Sequence, residues 1–246
     1  MERKDLHVHT TFSDGRNTPE EMVCAAIDQG LAVIGFSDHS HTAFDESWCM
    51  SPDSTVLYRA EIARLKEKYR DRITVLCGIE QDYYSEIPPA GYDYVIGSVH
   101  YIKAGEDYIP VDERAEILCA AAERYFGGDI YSLMEEYFRT VADVVRKTNA
   151  DFIGHFDLVS KFNEQTPIFD ERHPRYLDAW RSAADILLKT GVPFEINTGA
   201  VSRGYKTVPY PADDIREYIA CRGGKFILSG DSHSVYTLCY DFEKYE

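Results

Sequence analysis

Residues 31–40 read LAVIGFSDHS, an apolar, β-branched run that ends abruptly in a serine, an aspartate and a histidine. The apolar part of this stretch predicts a buried β-strand. The residues before it predict a helix, because Thr18 is a suitable N-cap and Glu21 completes a capping box with it. Gly30 is expected to end that helix. A second helix is predicted after the strand, since residues 54–69 have apolar side chains at helical spacing.

The same alternation of short apolar runs and longer amphipathic segments continues along the chain. Strands are predicted at 6–9, 31–37, 73–79, 94–99, 151–154, 193–196 and 226–229. Helices are predicted at 18–30, 54–69, 113–125, 130–148, 174–190 and 212–221. Strands that alternate with helices are parallel and joined by crossover connections. Seven such units favour an α/β barrel over an open sheet, and we expect residues 1–246 to form a single domain.

Histidines are concentrated at the ends of the predicted strands. Of the eight in the chain, His173 precedes a proline at a helix start, where a structural role is expected. The others lie at or just beyond strand ends: His7, His9, His39, His41, His100, His155 and His233. Functional groups of barrels and open parallel sheets collect at the carboxyl ends of the strands. These histidines are therefore expected to meet at one end of the fold.

The spacing of the histidines and carboxylates is typical of a metal site. One residue separates His7 from His9, and Asp231 from His233, so each pair points to one face of its strand. Glu80 ends another strand and is the best candidate for a bridging carboxylate. Imidazole with carboxylate suits Zn, Mn or Fe, and the candidates outnumber the four ligands of one zinc. The sequence predicts two or three ions sharing a carboxylate, as in enzymes that hydrolyse phosphoesters and amides.

Three polar residues near these strand ends each allow more than one interpretation. Asp14, in the segment FSDG, is either a metal ligand or a turn residue. His41 lies two residues beyond His39 and is either a catalytic acid or a surface residue. Asp82 shares a face with Glu80, where it hydrogen-bonds a ligand or a substrate amine, or forms an ion pair at the rim.

Further candidates follow the fifth and sixth predicted strands. Asp157 either orients a ligand histidine or caps a helix. At least one of Glu195 and Asn197 is expected near the metal ions. Arg203 lies in the loop beyond them, where its planar guanidinium would match phosphate oxygens. The alternative for Arg203 is a solvated loop residue.

The chain is strongly acidic, with 42 acidic and 26 basic residues and a net charge of −16. Such a surface repels nucleic acid and anionic lipid. A small anionic substrate is possible where metal ions supply positive charge. The six cysteines form no C-x-x-C pair, and there is no signal-peptide run or membrane-spanning stretch. We therefore expect a cytoplasmic monomer or small homo-oligomer with reduced, mostly buried thiols.

Seven motifs together resemble the polymerase-and-histidinol-phosphatase (PHP) superfamily, and within it the histidinol-phosphatase branch. They are DLHVHTTFSDG, GFSDHS, GIEQDY, IGSVH, IGHFD, EINTG and LSGDSH. The resemblance extends from Asp5 to Ser234 and implies a distorted (β/α)7 TIM-like barrel with three divalent Zn, Mn or Fe ions. The family usually continues with a terminal helix, so a shortened version is expected here.

The resemblance also implies how the ligands are shared among the ions. The first ion would be held by His7, His9, Glu80 and Asp231. The second would be held by Glu80, His100 and His155. The third would be held by Asp14, His39 and His233. Many members of the superfamily have histidine in place of Asp14, which leaves the identity of the third metal open.

The activity implied by the resemblance is a phosphomonoesterase that acts on L-histidinol phosphate and releases phosphate. Bound metal would lower the pKa of a coordinated water, and Arg203 would hold the phosphoryl oxygens. His41 or a water would protonate the leaving alkoxide, and Asp82 or Glu195 would recognise the substrate ammonium. The alternatives are a phosphatase for phosphotyrosine or a nucleotide, a nuclease, which the acidic surface disfavours, and a non-catalytic metal-binding module.

Overall fold

The computed structural model describes residues 3–245. The strands are β1 Lys4–Asp5, β2 Val33–Phe36, β3 Thr74–Asp82, β4 Tyr94–Ser98, β5 Tyr101–Ala104, β6 Asp107–Pro110, β7 Phe152–Ile153, β8 Phe194–Asn197 and β9 Phe226–Ser229. The α-helices are α1 Pro19–Asp28, α2 Pro52–Tyr69, α3 Ala115–Tyr125, α4 Ile130–Ala142, α5 Val144–Thr148, α6 Pro174–Leu188, α7 Gly199–Ser202 and α8 Asp213–Cys221. Thr18 caps α1 with the predicted capping box to Glu21.

Seven strands within residues 3–245 form one parallel sheet, in the order β1-β2-β3-β4-β7-β8-β9. A bridge between Val8 and Ser232 joins its two edges. The His9 N–H donates to the Ser232 carbonyl, and the Ser232 N–H donates to the His7 carbonyl, each at 2.9 Å. The sheet is thus a nearly closed barrel, which confirms the predicted barrel over an open sheet.

Three local features differ from the sequence predictions. The first ladder covers β1 rather than residues 6–9, within which Val8 forms an isolated bridge with Ser232. The antiparallel hairpin of β5 and β6 was not predicted. Its two strands have four residues each, and Gly105, at φ 63°, forms the turn between them. The helix predicted over 130–148 is interrupted at Asp143, which ends α4 and begins α5.

The interior of the barrel is apolar at the amino ends of the strands. Leu6, Tyr94, Ile96 and Phe152 pack together there. The Tyr94 hydroxyl donates to the carbonyl oxygens of Leu6 and Phe36, at 2.7 and 3.0 Å. This packing fills one end of the barrel with apolar side chains.

The six cysteines lie both in the core and on the surface. Cys49, Cys77 and Cys239 are buried, whereas Cys24, Cys119 and Cys221 are exposed, so half of the thiols are buried rather than most of them. The three exposed cysteines lie on α1, α3 and α8, which cover the outside of the barrel. Over residues 3–245, none of the helices has both the length and the apolar character needed to cross a membrane.

Asp5 holds the two edges of the barrel together. Its buried carboxylate accepts the backbone N–H groups of His7, Gly230 and Cys239, at 3.2, 2.9 and 3.2 Å. It also accepts the Ser232 hydroxyl at 3.3 Å. One side chain near the start of the chain therefore fixes the segment that follows β9.

Asp5→Ala is expected to lower the free energy of unfolding by about 3 kcal/mol or more, because each buried N–H left without an acceptor costs about 1–3 kcal/mol. Urea denaturation in the presence of a chelator measures this without a contribution from bound metal. Asp28→Ala, at an exposed position on α1, is the control and should change little. A loss of less than about 1 kcal/mol for Asp5→Ala would contradict this account.

Candidate metal centre

The carboxyl end of the barrel brings the predicted histidines and carboxylates together. The residues beyond β1 and β9 run side by side, and β3 carries Glu80 toward them. The positions that meet here are His7, His9, Asp14, His39, Glu80, His100, His155, Asp231 and His233. All of them are buried except Asp14 and His233.

Within residues 3–245, the ligand atoms cluster in three groups, each spanning no more than 4.8 Å. The first group is His7, His9 and Glu80. The second group is His39, Glu80 and His100. The third group is His9, Asp14, His39 and His233. His9 and His39 therefore each belong to two groups. In the ligand sets implied by the family resemblance, each of them belongs to one ion only.

Glu80 lies between two sets of imidazole rings. Its Oε2 is 2.8 Å from His39 Nδ1, 3.3 Å from His7 Nε2 and 3.5 Å from His9 Nε2. Its Oε1 is 2.8 Å from His155 Nε2 and 3.3 Å from His100 Nε2. The two oxygens face different sets of nitrogens, so this carboxylate could be shared by two ions.

Two other carboxylates complete the cluster. Asp231 Oδ1 is 3.3 Å from His9 Nε2 and 3.9 Å from His7 Nε2. Asp14 Oδ1 is 3.6 Å from both His9 Nδ1 and His39 Nε2. Asp14 Oδ2 is 3.0 Å from His233 Nε2. Asp14 is thus among histidines rather than in an isolated turn.

Several buried atoms of this cluster fit metal ligation. Among the described residues, His7 Nε2, both ring nitrogens of His9 and Glu80 Oε2 are buried without a hydrogen bond. Buried polar atoms in proteins are normally hydrogen-bonded. Two ligands bound to one ion at 2.0–2.2 Å lie roughly 3.0–3.5 Å apart. The separations around Glu80 and Asp231 fall in or near this range, so metal ions would satisfy these atoms.

The charges of the cluster depend strongly on one another. Burial alone would raise the pKa of Glu80, but His7, His39 and His100 hold that pKa well below its usual range. Burial alone would lower the pKa of His39, yet the carboxylates of Glu80 and Asp14 raise it to about 10. Without metal, protons on His7, His39 and His100 therefore compensate the buried carboxylates.

Surrounding carboxylates orient the histidines. Glu195 Oε1 accepts the Nδ1–H of His7 at 2.5 Å, which turns His7 Nε2 toward Glu80. Asp82 Oδ2 likewise accepts the Nδ1–H of His100 at 3.1 Å, so His100 Nε2 faces Glu80. Such hydrogen bonds fix the ring orientation of metal-binding histidines. Asp82 and Glu195 are both buried and hydrogen-bonded to these histidines. This argues against their predicted contact with a substrate ammonium.

Asp38 supports the loop that carries Asp14, a role that the sequence did not reveal. It accepts hydrogen bonds from the N–H and hydroxyl of Thr10, each at 2.8 Å, and from the Ser13 hydroxyl at 2.6 Å. Asp38 directly precedes His39, and this position was the available signal. Asp157, by contrast, neither orients His155 nor makes a side-chain cap, and it accepts the N–H of Ala212 at 3.2 Å.

The structure does not support the predicted role of His41 as a proton donor. Its Nε2 lies 2.8 Å from Oε1 of the exposed Glu46 in the loop after β2. His41 is not among the described residues that line the pocket. The hydrogen bond with Glu46 holds the ring in this position. His173 has the expected structural role, since it caps α6 and stacks on Tyr131.

Arg203 lies beside two of the candidate metal ligands. Its Nη2 donates to Asp231 Oδ2 at 3.0 Å, and its Nη1 donates to the Asp231 carbonyl at 2.8 Å. Nη1 also lies 2.9 Å from His233 Nδ1. The loop is anchored by Lys206, whose buried ammonium donates to the Ser160 hydroxyl at 3.1 Å. Arg203 is therefore fixed beside two candidate ligands.

A pocket of about 390 Å³ opens from the cluster to solvent. At its inner end lie metal-centre residues and Arg203. Residues that sequence reasoning missed form the rest: Asp45, Ser47, Trp48, Tyr101, Pro110, Asp112, Glu113, Leu158, Lys161 and Tyr205. Lys161 could have been predicted from the sequence, because it is a cation six residues beyond His155 at a strand end. The pocket residues of the hairpin had no such signal, because the hairpin itself was not predicted.

Residues 5–199 match the PHP domain family. The chain belongs to the PHP family. A Deinococcus radiodurans relative named probable histidinol-phosphatase is 31% identical over 241 residues, which cover 93% of this PHP chain and 85% of the relative. The family therefore accounts for most of the chain.

Solved structures have the same fold. The Listeria monocytogenes protein hisK is 19% identical, with a TM-score of 0.83 over 99% of this PHP chain and 100% of hisK. Histidinol phosphate phosphatase of Lactococcus lactis is 24% identical, with a TM-score of 0.72 over 95% of this chain and 87% of that one. The Lactococcus protein was solved with zinc, L-histidinol and phosphate.

Glu80→Gln is expected to lose most of the tightly bound metal, because an amide supplies one neutral oxygen where a bridge needs two charged ones. Metal analysis after dialysis measures this, and circular dichroism verifies that the variant is folded. Glu86→Gln, at an exposed position beyond β3, is the matched control. Unchanged metal content in Glu80→Gln would exclude the bridging role.

Metal binding near pH 7 is expected to release protons. The carboxylates raise the pKa values of His39 and His100 although burial opposes them, so both rings carry protons at pH 7 without metal. A metal ion needs the free nitrogen and must displace those protons, so affinity should rise between pH 6 and 8. Zinc titration calorimetry in buffers of different ionisation enthalpy measures the release. Heats that are independent of the buffer would contradict it.

Proposed function

We propose that this PHP protein is a metal-dependent phosphomonoesterase that hydrolyses L-histidinol phosphate to L-histidinol and phosphate. The observation that carries the proposal is the placement of Glu80 between two sets of histidines, with Arg203 beside them at the inner end of an open pocket. The names of the Deinococcus and Lactococcus relatives, and the ligands of the latter, support the choice of substrate. We further propose that residues 1–246 act as one domain, in the cytoplasm.

The proposed centre holds three divalent ions of Zn, Mn or Fe. His7, His9, Glu80 and Asp231 would hold the first. Glu80, His100 and His155 would hold the second. Asp14, His39 and His233 would hold the third, with His9 close enough to share. Bound there, the ions would bring the pKa of a coordinated water toward neutrality and offset the charge of the phosphoryl oxygens.

The chain's own groups position the phosphoryl group. A guanidinium has five N–H donors, and three contacts of Arg203 are made with Asp231 and His233. The remaining N–H groups are available for phosphoryl oxygens, since Arg203 lines the pocket. Buried Glu195 and Asp82 keep His7 and His100 oriented while the substrate binds.

Purified protein loaded with metal is expected to release phosphate from L-histidinol phosphate, and a chelator should abolish that activity. A panel with phosphotyrosine and nucleotides distinguishes the proposed substrate from other phosphoesters. Glu86→Gln serves as an active control and Glu80→Gln as an inactive one. Failure to release phosphate from any small phosphomonoester would overturn the phosphatase proposal in favour of a non-catalytic metal-binding module.

Arg203→Ala is expected to lower kcat/KM by roughly 10²-fold, the usual loss when one donor to developing charge is removed. KM should rise because phosphoryl oxygens lose a binding group. The assay needs saturating metal, because the variant also removes donors from Asp231. Arg70→Ala, at an exposed position after α2, is the control. An unchanged KM at full metal occupancy would exclude a role in holding the phosphoryl group.

A further inference from the structure

The pocket has two chemically different ends. Its inner end has the candidate metal ligands and Arg203, which suit a phosphoryl group. Its outer end is made by the loop after β2 and by the hairpin of β5 and β6. When a phosphoryl group occupies the inner end, the organic part of the substrate must lie against the outer end.

Four aromatic side chains pack together at this outer end, and we name them the aromatic wall: Phe44, Trp48, Tyr101 and Tyr108. Of these, Trp48 and Tyr101 line the pocket, and Phe44 and Tyr108 support them from outside it. Phe44 stacks on Tyr108, with ring centres 3.8 Å apart and planes at 7°. It also meets Tyr101 edge to face at 4.8 Å. These contacts attach the loop after β2 to the hairpin. The wall is therefore one packed unit contributed by two separate segments.

Hydrogen bonds fix Trp48 within the wall. Its Nε1–H donates to the Tyr101 hydroxyl at 2.7 Å, and that hydroxyl donates to Asp45 Oδ2 at 2.7 Å. The other oxygen of Asp45 accepts the Ser47 hydroxyl at 2.7 Å. The Trp48 ring lies 4.4 Å from the ring of His39. A rigid indole is thus held directly beside the metal centre and borders the pocket.

The carboxylates at the outer end differ in how they are engaged. Asp45 is occupied by the hydrogen bonds of Tyr101 and Ser47. Asp112 is paired with Lys161, whose Nζ lies 3.1 Å from its Oδ2. Glu113 has, among the described residues, an ion pair with Arg114 at 3.6 Å, and both side chains are more than half exposed. Exposed pairs of this kind contribute little, so Glu113 remains available to a ligand.

We propose that the aromatic wall and Glu113 select the leaving group, favouring a flat, nitrogen-containing group that carries a positive charge. Indole attracts cations and stacks with flat rings, and Glu113 adds a charge of the right sign at the rim. The inference rests on the proposed phosphatase function. Histidinol matches it, since it combines an imidazole ring with an ammonium group. Trp48 contacts the ring of the leaving group. Asp45 is a positioning residue, because its hydrogen bond with Tyr101 holds the partner of Trp48 in place.

The test compares three phosphomonoesters on metal-loaded protein. L-Histidinol phosphate has a ring and an ammonium, ethanolamine phosphate has the ammonium alone, and glycerol phosphate has neither. Trp48→Leu should raise KM for L-histidinol phosphate about tenfold and change the other two about twofold or less. Trp48→Phe should recover most of that loss. Metal content, measured on each variant, should be unchanged.

Glu113→Gln examines the charge separately. It should raise KM severalfold for both ammonium substrates and leave glycerol phosphate unaffected. Glu116→Gln, at an exposed position on α3, is the matched control. Asp45→Asn should also raise KM for L-histidinol phosphate selectively, although by less than Trp48→Leu. If Asp45 had a purely structural role, the substitution would instead lower kcat for all three esters.

Two outcomes would overturn the inference while leaving the phosphatase function intact. One is a wild-type protein that hydrolyses all three esters without preference. The other is a set of variants that slow all three equally. Wild-type protein that hydrolyses none of the esters would instead refute the proposed function itself, so the two failures are distinguishable.

Discussion

The buried carboxylate of Glu80 is the constraint on which the rest of the site depends. A charge with 1% side-chain exposure is costly unless partners compensate it. Those partners are histidines from four different parts of the chain, and barrel closure is what brings them together. β3 lies inside the sheet order, between β2 and β4, so Glu80 can be approached from both sides. The same placement that compensates the charge also gives it two differently occupied oxygens, which is what a bridge requires.

Around this centre, the fold uses further buried carboxylates to hold its ligands. Glu195 fixes His7, Asp82 fixes His100, and Asp38 holds the loop of Asp14. Asp5 binds backbone N–H groups, those of His7 after β1 and Gly230 after β9. The acidic composition of the chain is therefore partly a property of the site. The β5–β6 hairpin and the loop after β2 line the outer end of the pocket, where we propose that the leaving group is selected. Neither segment belongs to the seven-stranded sheet.

The barrel and the residues that meet at its end could be predicted from sequence because both follow from simple periodicity. Apolar runs between amphipathic helices imply parallel strands, and parallel strands bring their carboxyl ends to one edge. The hydrogen-bonded partners could not be predicted in this way. His7 and Glu195 are 188 residues apart, and no local pattern pairs them. The direction of the His41 side chain depends on its contact with Glu46, which the sequence does not show. The strands of the β5–β6 hairpin have four residues each, too few for an alternation of apolar and polar residues to be recognised.

The central claim is that Glu80 bridges two metal ions within a three-ion centre. Anomalous diffraction from crystals grown with zinc or manganese tests it most directly. The account predicts one peak near Glu80 Oε2, His7 and His9, and a second near Glu80 Oε1, His100 and His155, about 3.5–4 Å apart as in other two-metal sites. A third peak should lie among Asp14, His39 and His233. A single peak, or peaks that leave Glu80 without contact to metal, would contradict the account.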